Sequence, residues 1–378
     1  MIELHKTKNI IELIEKLKSE GIPEDKYKSY IDLFIEDKAR RKGIPLTGQF
    51  ELTPLCNLDC KMCYVHLNEH QFDKNRLMPV DFWKKTIKDA YDHGMRKANL
   101  TGGECLTYPG FEEVYLYLYS LGVIPGILSN GILMDKKHVE FFKEYPPKSI
   151  QITVYGSSED AYEKVSGRRV FKGVYRNILS LKEAGLPVKL SITPNEFMRD
   201  DVQSLLIFLQ GLEIPYNINA NLIPPRENTG KSIHDLSIDE YVEIFRRRSE
   251  MNHKVLETVD LAELPDPSHD GTVSYGFICG AGRSSFGIKY DGYMCPCLSM
   301  GEISVDTETL GFEEAWNTVN GIANSYPRPI ECGECIYKSR CLPCIAMHKN
   351  APRKGHCDPR ICERTRKLVS AGFIPVPK

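Results

Sequence analysis

The chain has 378 residues, with 49 Lys and Arg against 51 Asp and Glu, a net charge of −2 and 13 cysteines. Balanced charge argues against a binder driven by neutralising nucleic-acid phosphates, and no run approaches the ~18 apolar residues of a membrane span. The N-terminal Met1-Ile2-Glu3-Leu4-His5-Lys6 lacks the apolar centre of a secretory signal, so the cysteines point to metal rather than disulfides and to a cytoplasmic, reducing compartment.

Residues 1–45 are expected to be a helical segment, because Leu13, Leu17, Tyr30, Leu33 and Phe34 recur near helical spacing among Lys and Glu. From 46 to 235 strand and helix signals alternate. A first strand at 49–53 leads directly into a loop carrying Cys56, Cys60 and Cys63. A helix follows over 79–94, opened by Pro79 and striped by Phe82, Ile87, Ala90 and Tyr91. Further strands are expected at 97–101, 126–129, 149–155, 188–193 and 216–223, with helices at 111–121, 138–145, 174–184 and 202–212. Such alternation means an α/β fold of parallel βαβ units; periodicity alone leaves a barrel and a doubly wound sheet both open. In either, chemistry gathers at the C-terminal ends of the strands. The cysteine loop, Gly102-Gly103-Glu104, Ser129-Asn130-Gly131 and Tyr155-Gly156 all fall there. Residues 236–275 read as a polar, proline-containing bridge with a helix over 238–248. Residues 276–378 form a second, cysteine-dense domain with nine of the 13 cysteines.

Three thiolates spaced by three and then two residues suit an iron–sulfur cluster and leave one iron open to a small molecule. A structural zinc with His66 as fourth ligand is the alternative. The run from Cys56 to Cys63, followed after the second strand by Thr101-Gly102-Gly103-Glu104, resembles the radical S-adenosylmethionine (SAM) enzymes. That resemblance implies a partial (β/α)6 barrel, a 4Fe–4S cluster whose open iron chelates SAM, and reductive cleavage of SAM to a 5′-deoxyadenosyl radical that abstracts hydrogen. It also implies SAM-binding roles for Gly102, Gly103 and Glu104, with Glu104 toward the ammonium. Ser129 and Asn130 would lie toward the ribose, Thr153 and Tyr155 at a similar strand end, and Arg168 toward the carboxylate. The plainer readings are strand-end turns and an exposed helix-end arginine. Met62 stands where many relatives have an aromatic residue, and Cys105 where they often have proline.

The C-terminal cysteines are the second constellation: Cys279, Gly292 and Cys297, then Cys332, Cys335, Cys341 and Cys344, then Cys357 and Cys362. The pattern resembles the SPASM extension of radical SAM proteins, departing in the gap before Cys344. The resemblance implies two auxiliary 4Fe–4S clusters. Cys279, Cys297 and Cys344 would hold the first, with Cys295 as fourth ligand or an iron left open. Cys332, Cys335, Cys341 and a late cysteine would hold the second, and Cys362 fits that slot better than Cys357. A zinc ribbon is the alternative.

SPASM proteins mostly modify peptides and proteins, so the expected activity is hydrogen abstraction from a peptide or small protein for crosslinking or oxidation. Sulfatase-maturing relatives place an aspartate where Leu298 follows Cys297, which lowers formylglycine formation in rank. Asp291, Tyr293 and Glu302 are the candidate bases nearby. Oxidation or epimerisation of a small molecule stays open, as does a non-catalytic iron–sulfur or zinc adaptor. About 45 helical residues are short for a leader-binding domain, so either a separate leader-binding protein is a partner or the substrate needs no leader; an electron donor such as flavodoxin or ferredoxin is the other expected partner. No nucleic-acid or membrane partner is expected.

Overall fold

The structure, a computed structural model, describes residues 7–65, 67, 76–219, 222–223, 235–251, 277, 279–337, 341, 344–351, 353 and 355–373. Two helices, α1 (Ile10–Ser19) and α2 (Tyr27–Lys42), come first and pack through a small cluster of Leu13, Leu17 and Phe34. Six strands then follow: β1 (Thr47–Glu51), β2 (Lys97–Thr101), β3 (Gly126–Ser129), β4 (Ser149–Thr153), β5 (Val188–Ile192) and β6 (Tyr216–Ile218). Between them run α3 (Val80–Asp92), α4 (Phe111–Ser120), α5 (Lys136–Glu144), α6 (Glu159–Ser166), α7 (Phe171–Glu183) and α8 (Val202–Gly211). The strands pair in parallel in chain order. This is the parallel α/β architecture expected from the sequence, and all six C-terminal strand ends lie on one rim.

The sheet does not stop at β1. Strand β7 (Ser285–Ile288), from the cysteine-dense region, pairs in parallel with the other edge of β1, Phe50 opposite Ile288. Strands β8 (Tyr293–Cys295) and β9 (Val305–Asp306) continue it antiparallel, giving the order β6-β5-β4-β3-β2-β1-β7-β8-β9. Helix α10 (Thr307–Leu310) leads into α11 (Phe312–Ser325), which covers this junction. Phe286 meets Phe312 and Trp316 with ring centroids 5.2 and 6.0 Å apart, and the Trp316 indole donates to the Gly43 carbonyl at 2.8 Å. Phe50 stands edge-on to both Trp83 and Phe286. Each such fully buried ring contributes about 1.5–3 kcal/mol.

Sheets of parallel strands are usually apolar on both faces. Here one face only is. Phe50, Leu52, Ala98, Leu100, Ile127, Ile150, Ile152, Leu190 and Ile192 belong to the main core. The intervening Gln49, Asn99, Thr101, Gln151 and Thr153 are half-buried, and the two-residue period of a strand puts them on the opposite, polar face. A side chain added at Gly126 would meet Ser149 Oγ at 3.4 Å, consistent with adjacent small polar positions on that face.

Several expectations change. The strand expected over 216–223 ends at Ile218; residues 219 and 222–223 are not in a strand, and 220–221 lie outside the described residues. Helix α6 was not anticipated, although Ser158 caps its start and Gly167, at φ +74°, ends it. Neither were β7–β9, α10, α11 or the C-terminal helix Pro359–Ser370, opened by the Asp358 cap. In the expected bridge, α9 (Ile238–Met251) is present, and 252–276 lie outside the described residues. Among the described residues no helix is long and apolar enough to cross a membrane.

Candidate active site

The cysteine loop leaves β1 at the rim and is tied down along its length. The Leu52 amide donates to Thr101 O at 2.9 Å, Gly103 to Thr53 O at 2.7 Å and Glu104 to Leu55 O at 2.8 Å. Beyond, Asp59 and Lys61 donate to Ser166 O and Val165 O at the end of α6, at 3.1 and 2.9 Å. Lys61 Nζ sits 4.3 Å above the Phe197 ring. The two glycines are required by backbone crowding. A Cβ on Gly102 would lie 2.5 Å from Thr53 O, and one on Gly103 2.5 Å from Pro54 O and 2.7 Å from the Leu55 carbonyl carbon. Their close approach is made to the cysteine loop itself.

Glu104 is 1% exposed, and its carboxylate accepts hydrogen bonds from several internal donors. Both oxygens accept from Ser129 Oγ at 3.0 Å, Oε2 accepts from the Asn130 amide at 2.8 Å, and Oε1 from the Leu106 amide at 3.2 Å. Burial raises its pKa, against the pull of these bonds. Glu104 therefore locks the end of β3 to the loop after β2. Glu104→Ala is expected to cost about 2–3 kcal/mol, because buried donors lose their acceptor. Thermal unfolding followed by circular dichroism reads that loss as a lower midpoint; an unchanged midpoint would remove the bracing role.

Asn130 carries the linkage onward. Its side-chain amide donates to Asn57 Oδ1 at 2.7 Å and to Cys56 Sγ at 3.6 Å, where the Leu58 amide also donates at 3.4 Å. The Tyr155 hydroxyl reaches the Cys60 thiol. The three thiols are near one another: Cys63 raises the cost of ionising both Cys56 and Cys60, and Cys56 that of Cys60. Desolvation pushes the Cys56 thiol up to about 11, although part of the residue stays accessible to solvent, and burial raises Cys60 well above the usual thiol range. Three thiols with neutral donors aimed at two of their sulfurs form a donor set suited to an iron–sulfur cluster, since metal coordination deprotonates a thiol outright. His66, the extra ligand for zinc, lies outside the described residues. Among the described residues no three Cys, His, Asp or Glu side chains converge tightly enough for a single ion.

The other expected SAM contacts are spread around this rim. Thr153 ends β4 on the polar face, in register with Ser191 of β5. Arg168 is exposed, just past the α6 end that holds Asp59 and Lys61. Sequence reasoning passed over two braces and one buried charge. Asn177, on the buried face of α7, donates to Gly131 O and Ile132 O at 3.0 Å each. Asp201 accepts from the Ser157 amide at 2.7 Å and hydroxyl at 2.6 Å, pinning the loop after Tyr155. Glu51 is fully buried at the end of β1. The readable signals were a polar residue on an apolar helical stripe and a charge inside a strand.

In the C-terminal region Cys279, Cys297 and Cys344 come together: Cys344 acts electrostatically on Cys279, and both act on Cys297, which burial pushes up to about 12. Cys295, on β8, directs its Sγ to Gly287 O at 3.5 Å. The second group contains five thiols. Cys341 senses Cys362, Cys332 and Cys335, while Cys357 is hydrogen-bonded to Cys332 and lies 3.0 Å from the Cys362 sulfur, all as free thiols. Glu331 clamps this arrangement by accepting from the Cys357 amide at 2.9 Å and pairing with His356 at 2.6 Å. Both Cys357 and Cys362 reach the group.

Two of the candidate bases, Asp291 and Tyr293, share one turn and the cation Lys289. Asp291 and Gly292, at φ +83°, form the tight turn between β7 and β8, where the Lys289 amide donates to Tyr293 O and the Gly292 amide to Lys289 O, each at 2.9 Å. Asp291 is buried, with Lys289 and Arg76 at 3.6 and 3.7 Å, and Lys289 Nζ lies 5.0 Å over the Tyr293 ring. Glu302 is exposed.

The radical SAM superfamily model matches residues 50–205. Over 325 residues the chain is 25% identical to the sporulation killing factor maturation protein SkfB of Bacillus subtilis, covering 80% of this chain and 76% of SkfB. The GTP 3′,8-cyclase of Helicobacter pylori is 25% identical over 260 residues, 65% of this chain and 78% of the cyclase. Among solved structures, anSMEcpe with bound AdoMet superposes with a TM-score of 0.71 at 15% identity, covering 87% of this chain and 93% of that one, a likeness of fold. The matched residues run from β1 through the cysteine loop and the Gly102-Gly103-Glu104 turn into α8, so this part of the chain carries a radical SAM domain.

Proposed function

We propose that this chain is a radical SAM maturase that abstracts hydrogen from a peptide or small protein, crosslinking or oxidising it. The observation that carries the reading is the 80% of the chain matched by SkfB, named as a maturation protein, which is more than the barrel alone spans. In this reading Cys56, Cys60 and Cys63 hold a 4Fe–4S cluster. When bound, the cluster supplies the electron that cleaves SAM to a 5′-deoxyadenosyl radical. Glu104, Asn130 and Asn177 keep the rim loops rigid around it, and the polar face from Gln49 to Thr153 offers hydrogen bonds to SAM and substrate.

The two C-terminal thiol groups support auxiliary 4Fe–4S clusters, one on Cys279, Cys297 and Cys344, the other on Cys332, Cys335 and Cys341 with Cys357 or Cys362. An electron donor such as flavodoxin or ferredoxin, a separate leader-binding protein and a cytoplasmic setting belong to the same proposal. The similarity to a GTP 3′,8-cyclase favours a small-molecule substrate as the second reading.

Anaerobic reconstitution with iron and sulfide, followed by SAM and reductant, tests both. About twelve irons per chain would match three clusters of four, and 5′-deoxyadenosine release stimulated by a precursor peptide supports the maturase. Stimulation by GTP or another small molecule alone would favour the second reading. No 5′-deoxyadenosine at any iron loading would overturn both.

A further inference from the structure

We propose that Asn130 is a positioning residue that donates a hydrogen bond directly to the Cys56 sulfur and so sets how readily the cluster held there is reduced. This rests on the proposed cluster at Cys56, Cys60 and Cys63. Asn130 is 5% exposed, and its amide orientation is fixed: Oδ1 accepts from the Ile132 amide at 3.0 Å, which turns Nδ2 toward the cysteine loop. The two Nδ2 hydrogens are then matched by two acceptors, Asn57 Oδ1 at 2.7 Å and Cys56 Sγ at 3.6 Å.

The turn that presents this amide is held from three sides. Glu104 accepts from the Asn130 backbone at 2.8 Å, Ser129 Oγ accepts from the Gly131 amide at 3.0 Å, and Asn177 donates to the Gly131 and Ile132 carbonyls. Gly131 sits at φ +78°, and a Cβ there would lie 2.9 Å from Ile152 Cγ2, so the turn has no room to relax. So much bracing is more than a loop tie to Asn57 needs. It delivers a donor to a sulfur whose other donor is the Leu58 amide.

The physical consequence follows from charge. A donor to a thiolate sulfur stabilises negative charge, and the reduced cluster carries one more electron than the oxidised one. Hydrogen bonds to the ligating sulfurs therefore raise the reduction potential. Losing the Asn130 amide makes the cluster harder to reduce without removing a ligand.

The test is a redox titration of the reconstituted full chain, followed by the electron paramagnetic resonance signal that changes on adding SAM; this response separates the N-terminal cluster from any other. Asn130→Ala is expected to shift that midpoint to more negative potential at unchanged iron content. Asn57→Ala, which removes the neighbouring acceptor but leaves the donor to Cys56, is expected to leave the midpoint in place. Equal shifts in both variants, or none in Asn130→Ala, would overturn the inference and leave loop positioning as the role. Should the alanine variant lose its cluster, Asn130→Asp keeps the turn's size and Oδ1 acceptor while removing the donor, and a midpoint at or above wild type there overturns it equally. If wild type shows no SAM-responsive signal, the proposed cluster itself fails, and this inference with it.

Discussion

Replacing Cys56, Cys60 and Cys63 together by alanine is expected to abolish SAM cleavage while sparing the iron proposed for the C-terminal cysteines. The reason is chemical and local. These thiols meet in one loop, anchored by backbone bonds to β2 and to the end of α6, with Asn130 and Tyr155 directed at two of the sulfurs. The C-terminal groups are built on other elements, among them β8 and the Pro359–Ser370 helix, and share no residue with the loop. Iron analysis and chromatography for 5′-deoxyadenosine read the two halves separately. Persistent cleavage in the triple variant would mean that the first cluster lies elsewhere, and loss of all iron would mean that the regions fold or load as one unit.

Gly103→Ala is the second large effect expected, and it needs no change of ligand. The new Cβ would lie 2.5 Å from Pro54 O and 2.7 Å from the Leu55 carbonyl carbon, and both are backbone atoms with no side-chain freedom to move away. Relief requires opening the bonds from Gly103 to Thr53 O and from Glu104 to Leu55 O. Overpacking of this kind costs roughly 3 kcal/mol. It falls where the cysteine loop leaves β1, so misplacement of reacting groups by about 1 Å should lower SAM cleavage on the order of 100-fold. Gly122→Ala is the matched control for a new methyl group: it too is a glycine, at φ +74°, but nothing lies within 4 Å of its added Cβ. Some strain is expected there, without loss of cleavage. Equal activity of Gly103→Ala and wild type would show that this backbone contact does not set the loop's position.

The contrast between these two variants marks two kinds of information in the chain. The cysteine spacing and the Gly-Gly-Glu turn were legible because each is local: a few residues in fixed order at a strand end. The six barrel strands were legible for the same reason, since short runs alternating with amphipathic helices leave a periodic trace. The polar alternation in Gln49-Phe50-Glu51-Leu52-Thr53 was equally present and marks a sheet with one polar face, a trace that a strand count alone does not use.

What the sequence determined by itself was thus the radical SAM resemblance of its first two thirds, the parallel α/β architecture and the loop that carries three thiols. What only the tertiary structure decided was where long-range partners meet. Strand β7 joins β1 although more than 230 residues lie between them, so the cysteine-dense region extends the barrel's own sheet. Glu104 accepts from the end of β3, so the internal donors to its carboxylate come largely from another strand. Cys357 and Cys362 both reach the second thiol group because Glu331 clamps distant backbone beside Cys332. Pairings of this kind are set by packing and by satisfying buried polar groups, which depend on the whole chain's path rather than on neighbours in sequence.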